Sequence, residues 1–531
     1  MFRHDSCYIA LSNECLAELE DVGIRRRETI VMIRVVLLSM LLLSFPVWVQ
    51  GATYYINDTG SNAQAGTSTS TPWRTWAHAF SRSTCGDRLI VMDGTYTVSS
   101  NGAFSLKKVC TAGAVYTVMA QNERKAFISG SGREAPLLIT SSAYITVHGL
   151  RVKNVDNAAG IITSNVVATN SNHITFRRLL VTHSNRYFND HLIQLSNSPY
   201  SLLEENELYY FHRHGIMLYG TSNSVVRRNY CNARNYANIS GGYTSVSGAT
   251  NTGDDCVVVY PGNSNIIENN ISDGLILKGF SVQANGAGLA NKFYGNIAID
   301  PIMGLSVDVR GKGLAMMPRD TVIENMVVIA PKTFGIRSRG AKNTKCNQCM
   351  VLSGPNGFVV DSVASTPGDG VYSFFSSNSL VSGNNSGNGW YVTSAIQTWS
   401  INSPNSFKNT RNYNPSGSSR WGAPKSLDPF LGTCKVWIPN TSSMKRAGVG
   451  GKDIGANIVY RYQNGILTNV RLWDPATGAF PQGALVSGIN TVAGISLFDV
   501  HRRLNVNTNG CPFPTGGYST KLATPTSLSA F

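Results

Sequence analysis

Ionisable side chains fall at one position of a segment that recurs along this chain. Asp190-HLIQL, His214-GIMLY, Asp255-CVVVY and Asp273-GLILK each set a polar residue ahead of alternating apolar ones. Met303-GLSVD and Phe334-GIRSR continue the pattern with apolar first residues. Stacked as parallel strands, such segments bring equivalent positions to roughly 4.8 Å from one another. The alignment predicts a column reading Ala159, Asp190, His214, Asp255, Asp273, Met303, Phe334, and a second, five residues on, reading Leu195, Tyr219, Tyr260, Lys278, Asp308, Arg339. Clustered carboxylates need a cation or a shared proton to offset their repulsion. Asp254, Asp255 and Asp273 therefore form a candidate Ca²⁺ site, since this hard cation takes several oxygen ligands. Lys278 is the candidate base for removing a proton beside a uronate carboxylate, as β-elimination requires. Asp255 and Asp273 alternatively form the carboxylate pair of glycoside hydrolysis, one as acid and one as base. His214 stands among them, and the trio His212, Arg213, His214 can hold a substrate carboxylate. Tyr219, Tyr260 and Trp390 offer faces for sugar rings, while Arg310, Arg337 and Arg339 add positive charge for binding substrate. Each of these residues also fits a plainer role as a solvated strand end, an exposed turn or a packed aromatic.

Positioning them falls to a repeat. The segments, from Ala135-PLLIT to Asn388-GWYVT, recur at intervals of 18 to 41 residues, as coils of one size with insertions in some turns would. A second strand follows the first in most coils: SLLEEN206, SVVRRN229, NIIENN270, KFYGN296 and TVIEN325. Each ends in Asn, which tolerates left-handed backbone and whose amides can hydrogen-bond from coil to coil. One coil cannot bury its apolar face alone, but stacked coils bury a continuous core. The spacing of Trp73, Trp76, Ala77 and Phe80 predicts a short amphipathic helix over the first coil. The predicted fold is an all-β, right-handed parallel β-helix with an N-terminal capping helix. Its parts are an N-terminal strand and helix in 52–84, the β-helix in 85–430, and a C-terminal extension in 431–531 that packs on or caps it. Gly-, Asn- and Ser-rich insertions at 231–253 and 279–290, with a more basic one at 303–320, enlarge the coils around the ionisable columns, as loops walling a cleft would.

Residues Val35–Val49 are nearly all apolar, follow Arg34 and end at the small residue Gly51, so 1–51 reads as a signal peptide behind an over-extended start, with Met32 the better initiator. The run is short for a membrane span, so no stable membrane insertion is expected after cleavage near Ala52. The expected location is secreted, extracellular or periplasmic. The whole chain carries net charge +15; without residues 1–51, 40 basic residues face 24 acidic ones, or +16. That favours an acidic polysaccharide as partner. No basic cluster or motif points to nucleic acid, and the protein is expected to be a monomer. Among the eight remaining cysteines, Cys85–Cys110 and Cys434–Cys511 are plausible disulfides, and Cys346-x-x-Cys349 suits a disulfide or core packing better than a metal.

Residues 53–76, TYYINDTGSNAQAGTSTSTPWRTW, with GDRLIVMDGTY after them, resemble the opening of secreted bacterial β-helix proteins of the pectin-lyase-like superfamily, and GKDIGANIVYRYQNGILTNVRLW resembles a C-terminal segment of such proteins. The likeness implies fold more than function, because this fold hosts several chemistries. Asp273-GLILK278 resembles the Asp-Gly-x-x-x-Lys element of family-nine-type pectate lyases, which implies calcium-binding aspartates and Lys278 as base. The dense acidic element expected one coil later is replaced by MGLSVD308. Gly253-Asp254-Asp255-Cys256 resembles the Asp-Asp-Cys element of polygalacturonases, which implies an inverting hydrolase. The sequence thus leaves three readings: a lyase of an acidic polysaccharide first, a hydrolase second, and a non-catalytic glycan-binding β-helix third.

Overall fold

Alternating apolar residues, repeated once per coil, wind the chain into a right-handed parallel β-solenoid, here in a computed structural model. It describes residues 51–472 apart from 133, 155–163, 183–189, 212, 233–252, 285–287, 310–316, 363–371, 384–385 and 397, together with 479–480, 498–499 and 511. Each coil supplies a strand to sheet C, then sheet A, then sheet B; sheet A has 14 strands and sheets B and C have 12 each. The signal segment and the coil opening at Ala159 lie outside the described residues. Among the described residues no helix is long and apolar enough to cross a membrane.

The core decides which residues align. In sheet C, Ile193, Ile216, Val257, Phe280, Leu305 and Ile336 pair in register from coil to coil, and all are buried. Each such side chain stabilises the fold by roughly 1.5–3 kcal/mol. The position before this row is tight. A Cβ at Gly304 would stand 2.4 Å from the Val328 side chain, and one at Gly335 2.4 Å from that of Val351, so valines of sheet B exclude any side chain there. Asp255's strand carries Cys256 at this position, and its sulfur bonds Cys231 of sheet B.

Asparagines stitch the coils between sheets A and B. Asn206 donates to Asn229, Asn229 to Asn270 and Asn270 to Asn296, with side-chain N···O distances of 2.9, 2.9 and 3.0 Å. Asn325 does not extend the ladder as expected. It occupies the preceding left-handed position (φ 53°), following Glu205, Arg228, Asn269 and Gly295, while Met326 fills the core. Buried charges interlock at the same corner: Arg178 bridges Glu123 and Glu205, and Arg228 bridges Glu204 and Glu205.

A helix at Trp76–Arg82 sets Trp76 against Tyr96 and Phe104, with Thr75 as its N-cap. Ala79, not Ala77, completes its buried face. The segment from Cys434 to Val459 runs over the outer face of sheet B, covering Ile271, Ile297, Val327, Met350 and Leu380. A hairpin, Tyr460–Gln463 and Ile466–Arg471, then docks its tip on Glu268, whose carboxylate accepts from the Asn464 and Gly465 amides. Cys85–Cys110 and Cys434–Cys511 are bonded, and Cys346 and Cys349 lie in the core as free thiols.

The register corrects two members of the expected column. His191, not Asp190, pairs with His214, because Ile193 and Leu195 take the inward positions. Lys278, not Asp273, pairs with Asp255. Asp273 ends the sheet B strand Ile271–Asp273, Gly274 turns the chain at φ 108°, and the sheet C strand runs Ile276–Ala284. Burial settles the choice, since this register buries Phe280 and Val282 and leaves Leu275 39% exposed.

Asn229→Ala removes the ladder's middle amide and leaves buried partners in three coils unsatisfied. Its expected cost is about 2–4 kcal/mol. Denaturant unfolding should show that loss beside no change for the exposed Asn469→Ala; equal midpoints would remove the ladder's structural role.

Candidate active site

The aligned register brings four ionisable side chains onto consecutive strands of sheet C: His191, His214, Asp255 and Lys278. All four are at most 5% exposed. Asp254 joins them through a local distortion. The amides of Asp254 and Asp255 both donate to the Arg213 carbonyl, at 2.7 and 3.0 Å, so the pairing there departs from the regular ladder, as at a bulge.

Asp255 is enclosed by donors. Ser281 Oγ donates to its Oδ1 at 2.8 Å, Gln283 Nε2 to its Oδ2 at 3.2 Å, and His214 Nδ1 stands 3.1 Å from Oδ2. Arg213 Nε donates to His214 Nε2 at 3.1 Å, which assigns the imidazole proton to Nδ1, facing Asp255. The His191 ring stacks on His214 at 4.9 Å and 11°. Lys278 Nζ lies 3.9 Å from Asp308 Oδ2, the far side of the site from Asp255.

The two adjacent carboxyls are driven in opposite directions. Burial pushes Asp254 up, and the Asp255 charge adds to it against the pull of His214, Arg213 and Lys278. Burial acts on Asp255 too, but the Lys278 ammonium, the His214 and Ser281 hydrogen bonds and the His214 charge outweigh it and hold Asp255 below the ordinary range. Burial lowers His214 despite Asp255, and it lowers His191 further, with His214 and Arg213 adding to the effect. The site therefore presents a carboxyl biased toward its acid form beside one biased toward its anion. Such divergence is how paired titratable groups divide acid and base work.

The residues singled out from sequence separate as follows. Asp254, Asp255, His214, Arg213, Lys278 and Tyr260 come together; Tyr260 is buried, donates to Gln283 and lies 5.6 Å from the His214 ring. Tyr219 is in register with Tyr260 but 47% exposed. Arg337 is paired with Asp361 two coils beyond Lys278's strand, and Arg339 follows Asp308 in register. Trp390 is core, stacked on Phe358. His212 and Arg310 lie outside the described residues. Asp273 does not join the site: it accepts from Tyr230 on sheet B. The three carboxylates expected to share Ca²⁺ are thus not brought together, and Asp255's oxygens are taken by protein donors, so this set does not fit a calcium site. Among the described residues no other group of three His, Cys, Asp or Glu has metal-binding geometry. Sequence reasoning passed over His191, Ser281 and Gln283. The segment Lys278-GFSVQ matched the repeat as well as Asp273-GLILK does, at intervals of 23 and 25 residues from its neighbours instead of 18 and 30.

The family described as "Protein of unknown function (DUF1565)" matches residues 58–329, just over half of the chain. No curated protein matches it. Among solved structures it resembles the GH136 lacto-N-biosidase from Eubacterium ramulus, at 10% identity over 68% of each chain and a TM-score of 0.46. It also resembles XylC in complex with xylose, at 9% identity over 71% of this chain and 87% of that one, TM-score 0.49. Pectate lyase Pel9A shares 14% identity over 76% of this chain and 96% of its own, TM-score 0.40. At such identities the likeness concerns the winding of the chain alone.

The opposed carboxyls make a stability prediction. A depressed carboxyl such as Asp255 stabilises the fold above the unfolded aspartate value, about 3.9, and that contribution is lost as pH falls through the lower folded value. A raised one such as Asp254 does the reverse, destabilising the fold as pH rises from the unfolded to the folded value. Asp255→Asn should therefore lower the thermal midpoint at neutral pH, and Asp254→Asn should raise it, both differences shrinking on acidification. Shifts of the same sign, or independent of pH, would contradict the assignment.

Proposed function

We propose that this chain, which belongs to the family described as Protein of unknown function (DUF1565), is an enzyme that cleaves a polysaccharide by acid–base chemistry at Asp254 and Asp255 on the outer face of sheet C. The observation that carries this reading is the pair of adjacent buried carboxyls, with His214, Ser281 and Gln283 gathered on Asp255 and none of them on Asp254, which biases Asp255 toward its anion and Asp254 toward its acid form. Glycosidic bond cleavage needs a proton delivered to the leaving oxygen and negative charge near the cationic sugar that develops. Asp254, with Oδ1 buried and without a hydrogen-bond partner among the described residues, supplies the proton. Asp255 stays ionised, faces that charge electrostatically, fixes the His214 tautomer, and takes the proton of the water that adds to the sugar carbon as the glycosidic bond breaks. Lys278 keeps Asp255 anionic and binds the acidic groups of the polymer. The pair is Asp254 with Asp255, in place of Asp255 with Asp273. Three disulfides suit an oxidising compartment, in keeping with a secreted enzyme.

One observation favours a second reading. The register sets Lys278 directly beside Asp255, so a side chain able to abstract a proton next to a uronate carboxylate stands in the site. β-Elimination would then replace hydrolysis. Against it, Lys278 stands between two carboxylates of the protein, Asp255 paired with it in register and Asp308 with Oδ2 3.9 Å from Nζ.

The test is incubation with pectate, alginate and glycosaminoglycans, following reducing ends together with the absorbance of unsaturated products. Hydrolysis gives reducing ends without that absorbance. Asp254→Asn should then reduce kcat about 10²–10⁴-fold, the usual contribution of a positioned acid. Lys278→Met should mainly raise KM. Unsaturated products, with turnover abolished by Lys278→Met, would replace hydrolysis by elimination. No product from any polymer would remove the enzymatic reading.

A further inference from the structure

Sheet C continues past the catalytic strands. Its outward row runs Ser281, Ser306, Arg337, Val359, Tyr391 and Asn414, paired in register from coil to coil. Ser281 is the donor to Asp255, so this row starts in the active site. Four strands on, at roughly 4.8 Å per strand, it reaches Tyr391 about 19 Å away. There a cavity of about 430 Å³ opens at the corner of sheets C and A, lined in part by Pro415 and Ser418 of the turn after Asn414.

The lining is distinctive. Tyr391 and Trp399 contribute aromatic rings, Thr393, Ser394 and Asn414 contribute hydroxyl and amide groups, and Arg420 is its only charged residue. Arg420 lies over the Trp399 ring, 5.6 Å from its centre, and is exposed. Among the described residues it has no carboxylate partner, in contrast to Arg337, which is neutralised by Asp361. Thr393 Oγ1 is buried without a hydrogen-bond partner among the described residues. A ligand for this space has an apolar face for the rings, hydroxyls for the polar groups and an anionic group for the guanidinium. The volume is within the range of small-ligand sites.

We propose that this cavity is a second, non-catalytic subsite that binds a uronate unit of the polysaccharide, in line with the catalytic row and about 19 Å from it. Arg420 takes the carboxylate, Tyr391 packs on the ring, and Thr393 receives the hydrogen bond its hydroxyl lacks. This rests on the polysaccharide reading, and it anchors a polymer along sheet C while another unit sits at Asp254. Binding energy from a remote unit then supports turnover of long chains more than of short ones.

The test uses the exported protein carrying Asp254→Asn, so that nothing is turned over. Trigalacturonate, trimannuronate and neutral xylotriose are titrated while the Trp399 indole NMR signal is followed. One or both uronate trimers should shift it saturably, xylotriose at least tenfold more weakly. Arg420→Ala and Tyr391→Ala should each weaken that binding at least tenfold without changing the thermal midpoint, because both side chains are at least partly exposed. No shift with any trimer, or equal affinity in both variants, overturns the subsite. Shifts without any polymer cleavage by the unsubstituted protein would sink the enzymatic reading and leave the subsite standing; cleavage without shifts would do the opposite.

Discussion

The parallel register of sheet C governs everything else in this molecule. It is set from the inside, by a row of branched and aromatic side chains that fill the core and, from the coil of Ile216 onward, by a tight neighbouring position that holds glycine or a disulfide-bonded cysteine. A slip of one residue would turn the core row outward, so the register is strongly specified. The outer face inherits it. His191, His214, Asp255 and Lys278 meet because the residues just behind them are buried, and no direct attraction among them is required to bring them together.

Meeting in this way creates an electrostatic problem. Two adjacent carboxyls, each nearly removed from water, cannot both be ionised cheaply. Lys278, His214, Ser281 and Gln283 all converge on Asp255, whereas Asp254 has Arg213 3.6 Å from its Oδ2 and, among the described residues, no hydrogen-bond partner at Oδ1. The asymmetry biases Asp255 toward its anion and Asp254 toward its protonated form. The Cys231–Cys256 bond, one residue from Asp255, ties this strand to sheet B. The buried Arg–Glu corner and the docked C-terminal hairpin hold sheets A and B, so the site rests on a frame fixed on all three sides.

The fold was legible because its signals repeat. Apolar alternation, the glycine found in most coils and the asparagines at 206, 229, 270 and 296 recur from coil to coil, and their physical roles are the ones their chemistry suggests. The site was legible in part. Asp254, Asp255, His214 and Lys278 were identifiable as chemistry-bearing residues, but the partner of Asp255 was misassigned, because Asp273-Gly274 and Lys278-Gly279 both satisfy the same local pattern. Only the core distinguishes them, through Phe280 and Val282. His191 was hidden for the same reason, standing one residue from a more conspicuous aspartate. Asn325 looked like a ladder member, yet the ladder position there is filled by Met326, a difference of one residue that local sequence does not mark.

The central claim is that burial and a one-sided set of partners divide the Asp254–Asp255 pair into an acid and an anion. Carboxyl-carbon NMR of selectively labelled aspartate, assigned through the two Asn variants and titrated across the acid range, measures this directly. The account predicts that Asp254 takes up its proton at higher pH than an ordinary aspartate and Asp255 at lower pH. Coincident titration of the two near the unperturbed value, or Asp255 protonating first, would contradict it.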